Sequence, residues 1–230
     1  MRSLTAVRFS RNFAAMMELG IDMSLPLNLL QLSRAAAALN AARGAPLPAL
    51  ILMTDEVRLK DPVTAARALP KGSAVVLRHT DTRIRAALAE RLAPLAKARG
   101  FLLLIAGDAA LAARVKAAGL HLPEARAREA AHWKTLRPGW LVTVAAHSLP
   151  ALRAAKSARA DAALLAPVFA TKSHRARPHL GASRTLMIAR QSPLPVYALG
   201  GIDARSIGRL KGGRFAGIAG IGALSPPYKE

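Results

Sequence analysis

The sequence predicts a (β/α)8 barrel of the TIM type, and three observations carry that prediction. Short apolar runs alternate with helix-forming stretches eight times along 230 residues. Alternation of this kind builds a parallel sheet, and eight units fit a closed barrel better than an open doubly wound sheet. Residues 195–224 read as apolar run, Gly200-Gly201, helix, Gly212-Gly213, apolar run, which is the βαβ unit of such a sheet. The composition is 52% hydrophobic but only 4% aromatic, so Ala, Leu, Val and Ile must fill the core.

The elements follow in order. Residues 27–43 form an Ala- and Leu-rich helix that Gly44 and Pro46 end; it precedes the first strand and is expected to cover one end of the barrel. Strand one spans 49–53 and runs into Thr54-Asp55. A short helix over 61–69 has Asp61 as cap and Pro62 at its first position. Strand two spans 74–77, before Arg78-His79. The helix 82–99 tolerates Pro94 and closes at Gly100. Strand three spans 101–105, followed by Gly107-Asp108 and a helix over 109–118. Strand four is the short GLHL at 119–122, and a helix over 124–136 follows. Strand five spans 140–145, before His147-Ser148 and a helix over 149–159. Strand six spans 162–165, and a polar loop over 170–181 leads into a helix over 182–190. Strand seven spans 195–199. Asp203 sits at the N-cap position of a helix over 204–210, and strand eight spans 215–221. Only six residues follow residue 224, so the last outer helix is reduced or missing. The expected organisation is a flexible arm over 1–25 and one barrel over 26–230, with the barrel proper at 48–224. Residues 1–22 carry three Arg, two Ser and no acid before Glu18. That composition resembles a transit peptide only weakly, and an unstructured arm or sequence upstream of a start at Met23 accounts for it better.

Composition excludes several functions. With no Cys there is neither a disulfide framework nor a Cys-ligated metal. No apolar run reaches the length of a membrane span, so membrane partners are not expected and a cytoplasmic location is. The net charge of +21 would permit nucleic-acid binding, but the 34 Lys and Arg are scattered, with no long run and no nucleic-acid motif. Small phosphorylated molecules are the expected partners, and a homodimer is left open.

Chemistry in such barrels gathers at the C-terminal ends of the strands. Gly200 and Gly201 after strand seven, with Ile221 and Gly222 after strand eight, let backbone N–H groups approach an anion without a Cβ in the way. No acidic residue lies between Asp203 and Glu230 to oppose an anion there. Asp55 is placed to pair with Arg78, in a structural or a catalytic role. His147 after strand five is the acid/base candidate, because imidazole titrates near neutrality. His121, inside its strand, reads as structural. Lys172, His174, Arg175 and Arg177 form either a lid over a pyrophosphate or a solvated basic loop.

Taken together, Thr54-Asp55, residues 119–122, Pro167-Val168-Phe169 with Thr171, Leu180-Gly181, residues 199–202 and residues 217–224 resemble the thiamine phosphate synthase/TenI superfamily, over roughly 48–224. The resemblance implies a (β/α)8 barrel. It also implies one of two activities. Synthase members join a hydroxymethylpyrimidine pyrophosphate to a thiazole phosphate with Mg²⁺ and release pyrophosphate; TenI-type members are thiazole tautomerases that use a His after strand five. Carried over, thiazole-phosphate contacts fall on Gly200, Gly201, Ile221 and Gly222. Thr171 matches the Thr that touches pyrophosphate, Arg78 the pyrimidine-side Arg, and His147 the tautomerase His. Synthases have Asn-Asp after strand three, where this chain has Ala106-Gly107, with Asp108 one place later. Their second Mg²⁺-binding Asp becomes Arg126, with Glu124 nearby. The strand-five Ser becomes Ala145, the lid Lys falls near His174, and Val76 and Thr80 stand for Gln and Lys. Asp108 and Glu124 are therefore weak, displaced metal candidates. The expectation is no metal in the free protein, with Mg²⁺ relevant only where synthase activity is retained. A non-catalytic barrel binding phosphorylated ligands is the reading from another class.

Overall fold

The computed structural model describes residues 27–42, 47–171 and 178–225. Eight parallel strands close into a barrel in chain order: β1 (Leu50–Met53), β2 (Ala74–Leu77), β3 (Leu102–Ala106), β4 (Gly119–Leu122), β5 (Leu141–Ala146), β6 (Ala162–Leu165), β7 (Val196–Leu199) and β8 (Phe215–Gly220). Successive strand residues face opposite sides, so each strand feeds two shells of core. Ile51, Met53, Ala74, Val76, Leu104, Ala162, Leu164 and Tyr197 fill the barrel interior. Leu50, Leu52, Val75, Leu77, Leu103 and Ile105 face outward into the apolar stripes of the helices. Among the described residues no helix is long and apolar enough to cross a membrane.

Local chemistry accounts for most boundaries. Asp81 caps the Thr82–Arg99 helix by accepting from the amides of Arg83 and Ile84, and Gly100 ends it in the left-handed region at φ 71°. Pro94 is tolerated because it lies on the exposed face, where the carbonyl it leaves unpaired is open to solvent. Asp61 caps the Pro62–Arg67 helix, and Ser148 caps Leu149–Ser157.

Four elements depart from the sequence expectation. The Leu27–Ala41 helix does not cover a barrel end. Its buried stripe of Leu29, Leu32, Ala36 and Leu39 packs on the outer wall against β8 and β1. That is the seat in the helical ring between the last strand and the first; among the described residues only the 3₁₀ turn Gly222–Leu224 follows β8. The helix after β3 is cut to Ala109–Arg114, because Lys116 turns the chain at φ 53° toward β4. The helix expected over 124–136 is a 3₁₀ turn, Glu124–Arg126, followed by the Glu129–Leu136 helix. The helix expected over 204–210 is a turn and the 3₁₀ segment Ile207–Leu210. Asp203 and Ser206 do bond reciprocally at its start, but Gly208 lies inside and Gly212 just beyond, and neither sustains an α-helix. The expected arm over 1–25 lies outside the described residues.

Four side-chain or backbone devices shape β8 where it joins β7 and β1. Between Val196 and Tyr197 the pairing partner jumps from Phe215 to Gly217, so Ala216 forms a bulge. Asn40, near the end of the wall helix, donates its amide to the Ala216 carbonyl at 2.6 Å and to the Leu47 carbonyl at 2.9 Å. Gly217 has φ 149°, and a Cβ there would run into the Ala49 carbonyl, so the strands meet closely only with glycine. The buried Tyr197 hydroxyl donates to the Pro48 carbonyl at 2.7 Å. Asn40→Ala leaves two carbonyls without their donor and should cost about 1–3 kcal/mol. A melting temperature lowered by several degrees in calorimetry is the expected result; an unchanged one would show that water serves the bulge equally well.

Candidate active site

The loops at the C-terminal ends of β1 to β5 are tied to one another in sequence order by side chains. Between β1 and β2, Asp55 Oδ2 accepts from Arg58 at 2.6 Å and Arg78 at 2.8 Å, while Oδ1 accepts from the Val57 and Arg58 amides. The Arg58 guanidinium, first among these donors, holds Asp55 well below the usual carboxylate range despite its partial burial. Asp55 is thus the expected partner of Arg78. Its four hydrogen bonds make it a clamp on that arginine rather than a proton carrier. Beneath it the fully buried Thr54 hydroxyl accepts from the Arg78 amide at 2.9 Å and lies 3.1 Å from His79 Nδ1. Burial pushes the His79 imidazole down from its ordinary pKa.

Between β2 and β3, Arg85 donates to Asp108 Oδ2 at 3.0 Å and to the His79 carbonyl at 3.0 Å. The other Asp108 oxygen accepts from the Leu111 amide and caps the following helix. Between β3 and β4, Arg126 donates to the Gly107 carbonyl at 3.0 Å and grips both oxygens of Glu129, at 2.6 and 2.7 Å. Between β4 and β5, Glu124 Oε2 accepts from the His147 amide at 2.8 Å and lies 2.7 Å from its Nδ1. The ring is more exposed than not, with 60% of the side chain accessible.

These contacts bear on the metal that the family resemblance implies. Mg²⁺ wants one or two free hard carboxylates near substrate phosphates. Asp108 is spent on Arg85 and a helix cap, Glu124 on His147, and a guanidinium occupies the position of the second acid. No cluster of three or more His, Asp or Glu suited to a metal occurs among the described residues. The donor set does not fit the ion the family resemblance implies.

From β6 to β8 the ties are backbone ties. Val168 and Phe169 donate to the Leu199 and Gly200 carbonyls at 2.9 and 3.0 Å, which seats the loop after β6 on the end of β7. A Cβ on Gly201 would lie 2.5 Å from the Ala170 carbonyl oxygen, and φ is 64°, so that position is closed to every other residue. β7 and β8 are hydrogen-bonded neighbours, which brings Gly200, Gly201, Ile221 and Gly222 to one sector of the rim. No acceptor among the described residues takes the amides of Gly201, Ile202, Gly222 or Ala223. Thr171 stands half-buried at the end of the β6 loop. Lys172, His174, Arg175 and Arg177 lie outside the described residues.

The structure adds groups that reading the chain in line does not join. His121 is fully enclosed, its Nδ1 2.9 Å from the Thr143 hydroxyl across β4 and β5. Burial, with Arg78 nearby, pushes its pKa down to about 4. The Glu124–His147 and Arg85–Asp108 pairs span 23 residues each, and only strand register brings them together. Arg126–Glu129, like Asp55–Arg58, carried a readable signal, the i,i+3 spacing.

The depressed His121 value makes a prediction with a definite sign. An unfolded His binds its proton near pH 6.5, so the folded state resists protonation in the window from 6.5 down to about 4. The His121 contribution is fully present above that window and is lost as pH falls through it. It should amount to about 3 kcal/mol of stability across the window. Urea denaturation at several pH values should show this slope, flattened in His121→Gln; an equal slope in the variant would assign the dependence to other groups.

Comparison with known proteins agrees with the geometry. The model of the family described as thiamine monophosphate synthase matches residues 50–224. A protein of Aquifex aeolicus named for thiamine-phosphate synthase is 34% identical over 180 residues, covering 76% of this chain and 96% of its own length. The thiamine-phosphate synthase of Anaeromyxobacter dehalogenans is 33% identical over 205 residues, covering 83% and 88%. Among solved structures, the thiamine phosphate pyrophosphorylase of Pyrococcus furiosus superposes with a TM-score of 0.62 over 79% of this chain and 88% of that one. At 23% identity it speaks for the fold alone. The match runs from β1 to the turn after β8, and the chain belongs to the thiamine phosphate synthase/TenI superfamily.

Proposed function

We propose that this chain acts in thiamine biosynthesis as a thiamine-phosphate-synthase-type enzyme, in the cytoplasm. It would hold a thiazole phosphate at the β7–β8 rim and join it to a hydroxymethylpyrimidine pyrophosphate. The observation that carries the reading is the pair of glycine turns on adjacent strands, with four amides unclaimed by any described acceptor, in a chain whose relatives bear that name. Unclaimed amides on adjacent turns favour a phosphate through fixed dipoles. In the coupling step the thiazole nitrogen lone pair forms a bond to the pyrimidine methylene carbon. The bond from that carbon to pyrophosphate breaks, and the electron pair leaves with pyrophosphate. Arg78, held at the mouth by Asp55, is the cation suited to the pyrimidine side, with Thr171 and the basic loop beyond it meeting the departing charge. No step is assigned to a metal, because the carboxylates at hand are already engaged.

The second reading is a thiazole tautomerase, and the Glu124–His147 pair favours it: an imidazole backed by a carboxylate is suited to moving a proton. Two assays separate the readings. With both precursors, the synthase reading expects thiamine phosphate after exhaustive chelation, with little gain on adding Mg²⁺. No product in either condition rejects it. With thiazole phosphate alone, the tautomerase reading expects isomerisation that His147→Ala slows by about a hundredfold or more, with affinity nearly unchanged.

The phosphate seat has its own test. A Cβ on Gly222 meets nothing within 4 Å, so this position accepts substitution without disturbing the fold. Gly222→Asp places a negative charge beside the amides and should weaken thiazole phosphate binding by about tenfold or more in calorimetry, whereas Gly222→Ala should change it little. Equal binding by both variants would put the phosphate elsewhere.

A further inference from the structure

The contact between Glu124 and His147 determines which nitrogen of the ring can act. Glu124 follows Pro123 directly after β4, and His147 follows β5, with Leu122 and Val144 in register beneath them. One oxygen, Oε2, meets both the backbone amide and Nδ1 of the same histidine, which fixes chain and ring together. An ionised carboxylate only accepts hydrogen bonds, so Nδ1 carries the hydrogen and the lone pair of the neutral ring lies on Nε2. Both flanks are held. The hydroxyl of Ser148 caps the next helix by accepting from the Ala151 amide, and Arg126, the cation nearest in sequence to Glu124, is absorbed by Glu129. In a chain with 34 Lys and Arg against 13 Asp and Glu, a carboxylate paired with an imidazole instead of a guanidinium is a selective placement.

We infer that Glu124 is a positioning residue: it locks His147 in the Nδ1–H tautomer and so makes Nε2 the atom that takes a proton from a carbon of the bound thiazole phosphate and returns it. The inference rests on the proton-transfer reading given above. When Nε2 takes the proton, the C–H electron pair stays in the substrate ring and the imidazole becomes imidazolium beside the carboxylate. The imidazolium then gives the proton to the exocyclic carbon conjugated with that ring. The product is an isomer, and no co-reactant is consumed.

The test uses the full chain labelled with ¹⁵N, with His147 assigned by subtraction of the His147→Gln spectrum, alongside turnover of thiazole phosphate. Wild type should show the Nδ1–H pattern at neutral pH. Glu124→Gln should lose that pattern and turn over about ten- to a hundredfold more slowly, the scale on which a group that orients a functional histidine acts, with KM within about threefold. Glu124→Asp, which keeps a carboxylate, should regain part of the pattern and part of the rate. A wild-type ring in the Nε2–H form, or a Glu124→Gln protein with unchanged spectrum and rate, overturns the inference. Failure of the underlying reading looks different: wild type then shows no isomerisation of thiazole phosphate, or His147→Ala keeps full turnover, whatever the spectra show, and the positioning role falls with it.

Discussion

Closure of the sheet between β8 and β1 is the contact on which the other placements depend. Leu50, Ile51 and Leu52 pair with Ile218, Ala219 and Gly220, so the first and last strands of the barrel meet. Only with that ladder made do eight loops converge on one rim. The seam is correspondingly well supplied. Gly217 permits the close approach, Asn40 satisfies the carbonyl that the bulge frees, and Tyr197 reaches across the floor to Pro48. A buried carbonyl without a donor costs about as much as a hydrogen bond is worth, and each of these side chains removes such a cost where the strands join.

The rim that closure creates has two halves built on different physics. From β1 to β5 scarce carboxylates are each held by a neighbour: Asp55 by two arginines, Asp108 by Arg85, Glu129 by Arg126, Glu124 by His147. From β6 to β8 the loops are held by backbone hydrogen bonds, and the amides of Gly201 and Gly222 have no acceptor among the described residues. The first half offers fixed side chains for orientation and proton movement. The second offers dipoles that discriminate by geometry, since they carry no mobile charge to follow an ill-fitting ligand.

Much of this was legible in the sequence, for identifiable reasons. β2, β4 and β6 and the Thr82–Arg99 helix have the expected bounds because caps and glycines mark them locally. The paired glycines were legible because a turn with positive φ leaves few other residues available. The lengths of the helices after β3 and β4 were not, because the need to enter the next strand in register overrides helix preference there. The role of Glu124 was also hidden. Its partner lies 23 residues away, and only the β4–β5 register reveals that a residue resembling a displaced metal ligand faces an imidazole instead. The seat of the Leu27–Ala41 helix was ambiguous for the same reason: an apolar stripe shows that a helix is covered, not which surface covers it.

That seat has a consequence for how the protein is made. Asn40 and the carbonyl it serves are 176 residues apart, and the wall beneath Leu29, Leu32, Ala36 and Leu39 is completed only by β8. At translation speeds of about 5–20 residues per second, the helix emerges from the ribosome roughly ten to thirty-five seconds before its strand. Throughout that interval its leucine stripe lacks the larger part of its native surface, β8, although seven strands have already been made. The nascent chain therefore carries a greasy latch that stays open until the last strand arrives, a natural handle for chaperones during synthesis and the point from which premature release would lead to aggregation.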